Sequence, residues 1–390
     1  MRSRPCARPL PLSNLLMPDS HDSRWMTLAL RLAEQGRYST SPNPRVGCVL
    51  VKHEKLIGSG WHQRAGEPHA EVYALREAGA RAKGATAYVT LEPCSHHGRT
   101  PPCADALIAA GVARVVVAME DPNPQVAGSG IARLRQAGIE VECGLMEAAA
   151  RELNVGFVAR MVRGMPWVRC KTGMSLDGRT ALANGTSQWI TGSDARLDVQ
   201  HWRARSCAVL TGINTILADD AQLNVREIET PRQPLRVVLD SRLRIPLDAL
   251  ILRSLNSQSG GLLIYCTVHD SQKISLLEKL GATVVVLPES GGHVDLTAVL
   301  KDLAARGCNE LLVEAGAILN GALLSAGLVD ELLLYVAPQL LGDCARGIAS
   351  MGELTSLDQR VDLAWQDVRQ VGRDLRITAR ITKNDEIKGV

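Results

Sequence analysis

The chain has 390 residues, of which 46% are hydrophobic, so it is long enough for two or three domains with buried cores. Its 44 basic and 41 acidic residues nearly balance, which leaves a formal charge of +3. This balance gives no support for a nucleic-acid-binding surface, where basic residues cluster. Aromatic residues, at 3%, are too few for a series of base-stacking platforms. Composition therefore favours a protein that acts on small molecules.

Residues 1–22 differ from the rest of the chain. Arg2, Arg4 and Arg8 precede the first acidic residue, Asp19, and several prolines interrupt the segment. An arginine-rich, acid-poor start is typical of a transit peptide. The prolines disfavour the amphipathic helix of such a peptide. We therefore expect a disordered extension, or translation that starts at Met17.

Ten cysteines raise the question of disulfides. Most stand singly, several of them in apolar runs, and neither a secretory signal nor a membrane-length apolar stretch precedes them. Reduced thiols in a cytoplasmic protein are therefore expected, because disulfides persist mainly in oxidising compartments. Only Cys94 and Cys103 stand near other potential metal ligands.

The first domain is predicted to cover residues 23–164 and to alternate helices with strands. Apolar residues at positions 25, 28, 29 and 32 follow helical spacing and predict a helix over 23–36. This alternation indicates an α/β layered sheet. The further predicted elements are strands 46–51, 56–61, 85–91, 114–119 and 139–143, and helices 69–78, 103–110 and 131–137.

A metal site is predicted within this domain. His69, Cys94 and Cys103 supply one imidazole and two thiolates, a donor set that suits Zn²⁺ and leaves its fourth position open for water. Glu71, two residues after the histidine, can carry protons during catalysis. The order H-x-E followed by P-C and a second cysteine is the signature of zinc nucleobase deaminases. His69 and the cysteine pair are each expected at the start of a helix, whose partial positive charge stabilises thiolates.

Three further residues near this motif are candidates for contact with a substrate. His96 and His97 lie between the two cysteines, and a loop role is the more ordinary interpretation of each. Asn43 lies between two prolines in a rigid turn, and contact with the sugar of a pyrimidine substrate is as plausible there as a purely structural role.

The second domain is predicted to cover residues 165–385, after a break at the Gly164 and Pro166 positions. Strands and helices alternate again, which indicates a largely parallel sheet flanked by helices. A glycine-containing turn at 315–321 joins a strand to a helix and could hold a phosphate, although an ordinary turn is the simpler interpretation. The predicted strands are 167–172, 208–211, 235–239, 262–266, 283–287, 310–313 and 331–337, and the predicted helices are 193–203, 271–280, 296–306 and 318–326.

Several motifs resemble one enzyme family. Eight residues separate the two cysteines, against two in the general deaminase signature, and the segment 90–103, TLEPCSHHGRTPPC, is similar to the bifunctional deaminase/reductase family of riboflavin biosynthesis. So are the segments SPNPRVGCV at 41–49 and GEPHAE at 66–71. SLDG at 175–178, SQWIT at 187–191, GINTILADD at 212–220, LNVR at 223–226 and VEAG at 313–316 resemble its reductase half. The resemblance covers about residues 23–382.

The resemblance implies a fold, cofactors and binding residues. It implies a cytidine-deaminase-like three-layer domain followed by a dihydrofolate-reductase-like α/β domain, and it implies Zn²⁺ and NADPH as cofactors. Arg203 and Arg226 suit the binding of a phosphate, because a guanidinium matches two phosphate oxygens. Lys171 is a weaker candidate for polarising the ribose. The positions that match NADP-binding residues are Gly173, Trp189, Thr215, Asp219, Ser241, Gly316, Ala317, Ile318, Leu319, Asn320, Gly321 and Ala322. Those that match substrate-binding residues are Ser187, Arg203, Leu223, Arg226 and Glu314.

The resemblance also implies two reactions. The first is hydrolytic deamination of 2,5-diamino-6-(5-phosphoribosylamino)pyrimidin-4-one, and the second is NADPH reduction of the ribosyl group to give 5-amino-6-(5-phosphoribitylamino)uracil. The expected partners are this small molecule and further copies of the chain, with no nucleic acid and no membrane. Two alternatives are a nucleoside or tRNA deaminase with an accessory domain, and a zinc-stabilised binding protein without activity.

Overall fold

The computed structural model describes residues 21–95, 102–124, 126–256 and 259–382. The predictions for residues 1–20, for His96 and for His97 lie outside the described residues. Within the described ranges, no helix combines the length and the apolar character needed to cross a membrane. The described residues fold around two large sheets, beside which lie two small sheets of two strands each, and the α/β class predicted from the sequence is confirmed.

The N-terminal sheet has five strands in the order β2-β1-β3-β4-β5. Strands β1 and β2 form an antiparallel hairpin, whereas β3, β4 and β5 run parallel. Buried apolar side chains from both faces of the sheet pack against helices, which makes three layers. The strands are β1 Gly47–Lys52, β2 Lys55–Trp61, β3 Thr86–Val89, β4 Arg114–Val117 and β5 Glu140–Cys143. The helices are α1 His21–Glu34, α2 Ala70–Ala78, α3 Cys103–Ala109, α4 Ser129–Gln136, α5 Glu147–Leu153 and α6 Val155–Arg163, with short 3-10 turns at Gln35–Tyr38 and Gly79–Ala82.

The C-terminal sheet has nine strands in the order β11-β10-β9-β8-β14-β6-β15-β18-β17. All neighbours from β11 to β15 are parallel, as the alternating sequence pattern predicts. The strands are β6 Trp167–Ser175, β7 Arg179–Ala181, β8 Ala208–Gly212, β9 Leu235–Leu239, β10 Leu262–Cys266, β11 Thr283–Val286, β12 Glu289–Ser290, β13 His293–Val294, β14 Glu310–Glu314, β15 Glu331–Ala337, β16 Arg346–Gly347, β17 Leu363–Val371 and β18 Asp374–Ile381. The helices are α7 Ser193–Arg205, α8 Ile213–Asp219, α9 Leu250–Arg253, α10 Ser271–Lys279, α11 Leu296–Ala305 and α12 Ala317–Ser325, with a 3-10 turn at Leu357–Gln359.

The antiparallel hairpin of β17 and β18 is absent from the sequence-based prediction. Strand β17 lies at the sheet edge and is mostly exposed, so its apolar residues do not alternate cleanly with polar ones. Trp365, for example, is 65% exposed on this strand. The sequence pattern also misses the short elements β7, β12, β13, β16, α8 and α9 and the pair α5 and α6, which leads from the first sheet to the second.

Candidate active sites

Three side chains of the N-terminal domain converge as the sequence motif predicts. The Nδ1 atom of His69 lies 3.6 Å from the Sγ of Cys94 and 3.3 Å from the Sγ of Cys103. The three potential ligand atoms all lie within 4.8 Å of one another, and no second cluster of this kind occurs in the described part of the chain. An imidazole nitrogen and two sulfurs at this separation can share one metal ion, and they leave a fourth position of a tetrahedron free.

The fold places two of these candidate ligands at helix starts and the third in a loop. His69 is the residue immediately before α2, and Cys103 is the first residue of α3. Helix α2 packs tightly on β2 because Gly60 has no side chain; a Cβ there would lie 2.5 Å from the carbonyl oxygen of Ala70. Cys94 lies in the loop after β3 and accepts a hydrogen bond from the backbone N–H of Cys103, at 3.3 Å. Of the two cysteines, therefore, only Cys103 begins a helix.

Glu71 lies in the first turn of α2, two residues beyond the candidate ligand His69. Its side chain is 2% exposed, and its Oε2 atom has no hydrogen-bond partner among the described residues. Burial raises the pKa of this carboxyl above its usual value. A buried carboxylate oxygen without a protein partner needs a ligand or water to satisfy it. The site therefore fits a metal ion with a water beside Glu71.

The two sulfurs differ in charge before any metal binds. The Cys103 thiol and backbone N–H both donate hydrogen bonds to the Cys94 sulfur and lower the pKa of Cys94 to about 4, whereas the pKa of Cys103 is raised. One thiolate is thus already available to a cation at neutral pH. Zinc binding requires both sulfurs to be deprotonated, so it releases the second proton.

Glu92 belongs to the sequence motif, but the sequence analysis assigns it no role. In the structure it stabilises the loop that contains Cys94. Its buried carboxylate accepts four backbone hydrogen bonds of 2.8–3.2 Å, from the N–H groups of Asp121, Gly128, Gly130 and Ile131. A side chain at position 130 would collide with the carbonyl of Pro93, so a glycine is required there. The loop that contains Cys94 is thereby joined to the start of α4.

Asn43, a sequence candidate for substrate contact, lies beside the metal cluster. Its amide Nδ2 is 3.1 Å from the Nε2 of His62, whose Nδ1 is 3.2 Å from the carbonyl oxygen of Pro68. The carbonyl requires a proton on Nδ1, so Nε2 is the acceptor for the amide. The His62 ring lies edge-on to the His69 ring, with centroids 5.2 Å apart.

The C-terminal domain contains a cavity of about 1690 Å³, large enough for a dinucleotide and a substrate together. The turn before α12 faces it, and the free N–H groups of that helix start are suited to a pyrophosphate. The predicted binding residues that line the cavity are Gly173, Ser187, Trp189, Arg203, Thr215, Asp219, Leu223, Arg226, Ser241, Glu314, Gly316, Ala317, Ile318, Leu319 and Ala322.

Two predicted cofactor residues do not line this cavity. Asn320 is 3% exposed, and its Nδ2 lies 3.2 Å from the carbonyl oxygen of Ile348 and 3.3 Å from that of Ala315. Gly321 packs directly against the backbone of Ser350. Both residues face the opposite side of α12, because helix geometry sends neighbouring positions to different faces. Their contacts stabilise the turn on the side that faces away from the cavity.

Arg203 has less freedom to bind a phosphate than the sequence suggests. Its Nε and Nη2 atoms donate to the two carboxylate oxygens of Glu314, at 2.6 and 2.9 Å, and its Nη1 donates to the carbonyl of Asn224, at 3.0 Å. The Nζ of Lys171 lies 4.0 Å from the same carboxylate. Burial alone would raise the pKa of Glu314, but these cations outweigh it and lower that pKa to about 2.

Arg226 is the more available cation at the cavity. Its side chain is 48% exposed and makes only long contacts, 3.3 Å to the Oδ1 of Asn224 and 3.7 Å to the carboxylate of Glu227. Arg242 and Arg244 also line the cavity, although the sequence analysis did not select them. Both lie within three positions of the predicted cofactor residue Ser241, which was the available signal.

Comparison with known proteins matches both halves of the chain. Residues 19–119 match the cytidine and deoxycytidylate deaminase zinc-binding region, and residues 166–377 match the RibD C-terminal domain. The riboflavin biosynthesis protein RibD of Escherichia coli K12 is 51% identical over 367 residues, which is 91% of this chain and 98% of that protein. The Haemophilus influenzae protein of the same name is 48% identical and covers 92% of this chain and 97% of that protein.

Solved structures are similar to this chain over nearly the same length. Acinetobacter baumannii RibD, form 1, superposes with a TM-score of 0.86 at 49% identity, covering 93% of this chain and 99% of that chain. A diaminohydroxyphosphoribosylaminopyrimidine deaminase/5-amino-6-(5-phosphoribosylamino)uracil reductase from Thermotoga maritima superposes with a TM-score of 0.82 at 29% identity, covering 93% and 99%. These matches confirm the predicted deaminase and reductase folds and do not favour a nucleoside or tRNA deaminase.

Proposed function

The chain belongs to the RibD family of riboflavin biosynthesis proteins, which makes it a bifunctional deaminase and reductase, and we propose that the residues described above perform its two reactions. We assign residues 23–164 to deamination and residues 165–385 to reduction. The deamination substrate is 2,5-diamino-6-(5-phosphoribosylamino)pyrimidin-4-one, and reduction of the deaminated ribosyl compound gives 5-amino-6-(5-phosphoribitylamino)uracil. The observation that carries the proposal is the cluster of His69, Cys94 and Cys103 beside the unpartnered Oε2 of Glu71.

In the deaminase site, His69, Cys94 and Cys103 would hold the zinc ion. Bound zinc supplies a nucleophile for hydrolysis by lowering the pKa of water at its open position. The carboxylate of Glu71 would accept one proton from the attacking water and pass it to a ring nitrogen; it would then take the remaining proton of the added hydroxyl and give it to the amino group, which leaves as ammonia. A raised carboxyl pKa suits this work, because the group must both accept and release a proton near neutral pH.

In the reductase site, the cavity holds NADPH and the ribosyl substrate together. NADPH supplies the hydride when it is bound. The helix start at residues 316–319 and Ser241 bind the cofactor, while Arg226 binds the 5′-phosphate of the substrate. Glu314, held by Arg203, accepts hydrogen bonds from hydroxyl groups of the substrate. Lys171, which lies 4.0 Å from Glu314, stays a candidate for polarising the ribose.

A two-step assay tests the whole proposal. The purified full chain is given the diaminopyrimidine with and without NADPH, and ammonia, NADPH oxidation and zinc content are measured. Ammonia release without NADPH, followed by NADPH oxidation when it is added, is expected. Absence of both steps from a folded, zinc-loaded chain would overturn the proposal.

The proposal also covers the location of the enzyme, its oligomeric state and the class of its partners. Cytoplasmic location is supported by the nine described cysteines, all of which are free thiols, since disulfides persist in oxidising compartments. Association into a homo-oligomer is supported by the edge strand β17, which exposes Trp365 and Val368, because such edges invite pairing with a second copy. The near balance of charge supports a small-molecule substrate without a nucleic-acid partner.

A further inference from the structure

The segment before Asn43 is held in part by the C-terminal domain. The side-chain Nδ2 of Asn309 donates a hydrogen bond of 3.0 Å to the carbonyl oxygen of Pro42. The Oδ1 of Asn309 accepts a bond of 2.6 Å from the Nε of Arg160, whose Nη2 lies 3.2 Å from the same carbonyl. Asn309 itself is 6% exposed, so its own two bonds are partly shielded from bulk water, whereas the bond from Arg160 to Pro42 is exposed. The Pro42 carbonyl is thus fixed by one donor from each domain.

The segment after Asn43 is held by a buried ion pair across the same boundary. The Nη2 of Arg45 lies 2.5 Å from the Oε1 of Glu310, and both side chains are less than a tenth exposed. Arg45 also donates from Nη1 to the carbonyl of Leu153, at 2.7 Å. The other oxygen of Glu310 faces Arg169 and Arg205, at 3.3 and 2.9 Å. Three cations around one carboxylate keep it ionised and its position well defined.

Asn43 lies between these two attachments and reaches the rim of the zinc centre. Its amide contacts His62, whose ring packs edge-on to the metal ligand His69. The backbone just before Asn43 is therefore positioned by Asn309, and two residues after Asn43 the Arg45 side chain is held by Glu310 while the Arg45 backbone bonds to Asn154. A shift of these residues would move the amide relative to a bound pyrimidine.

We propose that Asn309 and Glu310, which belong to the reductase domain, are positioning residues for the deaminase reaction. They act through the segment 42–45 and hold Asn43 where it binds the substrate. The inference rests on the proposed contact between Asn43 and the pyrimidine substrate. According to this proposal, deamination depends on contacts from the reductase domain to the segment 42–45. Reduction does not depend on these contacts.

The test uses the full chain with the substitution Asn309→Asp. This change keeps an acceptor for Arg160 but replaces the donor to Pro42 by a carboxylate oxygen that repels the carbonyl. The KM of deamination is expected to rise about ten- to a hundredfold, the size of effect that a lost substrate hydrogen bond produces when it leaves a buried group unsatisfied. Turnover at saturating substrate, zinc content, and reduction of a supplied deaminated substrate are expected to stay near the wild-type values. Asn309→Gln keeps the amide and is expected to recover part of the deaminase affinity.

A second interdomain pair provides a matched control. Glu152 of the N-terminal domain and Arg380 of the C-terminal domain lie 2.5 Å apart, and neither contacts the segment 42–45. Glu152→Gln therefore removes a contact between domains without disturbing Asn43, and deamination should be unchanged. If Asn309→Asp does not fold, Arg45→Lys tests the same point, because a lysine cannot reach Glu310 and Leu153 together.

Two outcomes would overturn the inference. One is an unchanged deaminase KM in a folded Asn309→Asp variant. The other is an equal loss of both activities with a lower melting temperature, which would indicate a purely structural role. Failure of the proposed function itself is recognised separately, because the wild-type chain would then release no ammonia.

Discussion

The guanidinium of Arg203 and the carboxylate of Glu314 form a bidentate ion pair on the wall of the reductase cavity, with N–O distances of 2.6 and 2.9 Å. Both side chains are nearly buried, at 10% and 12% exposure. An arginine engaged in this way orients its partner and has few donors left for a phosphate. This pairing is the reason why we propose Arg226, and not Arg203, as the residue that binds the substrate phosphate.

The substitution Arg226→Ala should weaken binding of the phosphorylated reductase substrate. Charge-assisted hydrogen bonds contribute roughly 1.5–3 kcal/mol each, so we expect the KM to rise about ten- to a hundredfold. Arg226→Lys should recover only part of the loss, because lysine lacks the planar guanidinium that binds two phosphate oxygens at once. The dephosphorylated analogue is the control substrate. An equal loss with both substrates would contradict phosphate recognition by Arg226.

The Arg203–Glu314 pair should make the stability of the C-terminal domain dependent on pH. The pKa of Glu314 in the folded chain is about 2, against an ordinary value of 4.5. A lowered carboxyl pKa contributes stability above pH 4.5, and this contribution is lost as the pH falls from 4.5 towards 2. The shift corresponds to stability on the order of 3 kcal/mol. Urea unfolding at pH 7 and pH 3 should show a smaller difference for Glu314→Gln than for the wild type, and equal differences would exclude this pair as a cause.

The substitution Glu71→Gln should abolish most deamination while zinc stays bound. The amide keeps the shape of the side chain but cannot accept the proton, and general acid–base catalysis contributes about 10²–10⁴-fold. Ammonia release and zinc content measured on the same sample check this expectation. Near-normal ammonia release would remove Glu71 from the mechanism. Cys94→Ser is the contrasting variant, which should lose zinc as well as deamination and still reduce a supplied deaminated substrate.

The substitution Glu92→Gln should destabilise the N-terminal domain although it changes only one atom of the side chain. The four backbone N–H groups around Glu92 need two acceptor oxygens, and the glutamine Nε2 would face two of them as a fellow donor. Leaving such groups unsatisfied costs roughly 1–3 kcal/mol each. Thermal unfolding of the zinc-loaded chain should show a lower transition temperature. A transition equal to that of the wild type would mean that the loop rearranges to satisfy these donors.

The metal centre could be predicted from the sequence because its residues lie close together along the chain and carry specialised chemistry. His69, Cys94 and Cys103 fall within one short region, and few residue types bind zinc. The parallel strands β9, β10 and β15 were predicted with the observed bounds, since buried strands have continuous apolar runs. The exposed strand β17 lacks that pattern, and its pairing with β18 depends on tertiary contacts.

The contacts that assign individual roles could not be predicted in the same way. Arg203 and Glu314 are 111 positions apart, and nothing in either motif indicates that they bind each other. The sequence therefore assigns both to the substrate. The four donors around Glu92 are backbone groups, which have no sequence signature at all. Asn320 and Gly321 belong to a motif whose residues face two sides of one helix, and only the structure distinguishes those sides.

The bonds between segment 42–45 and residues 309–310 also have a consequence for how the chain is made. Arg45 and Glu310 are 265 positions apart, so their ion pair must wait for most of the polypeptide to be synthesised. At about 5–20 residues per second, the ribosome needs roughly 10–50 s to cover that distance. The domain that is translated first is thus the one that is completed last, and ribosome-bound chains that end before residue 309 should lack a fully ordered site for the pyrimidine.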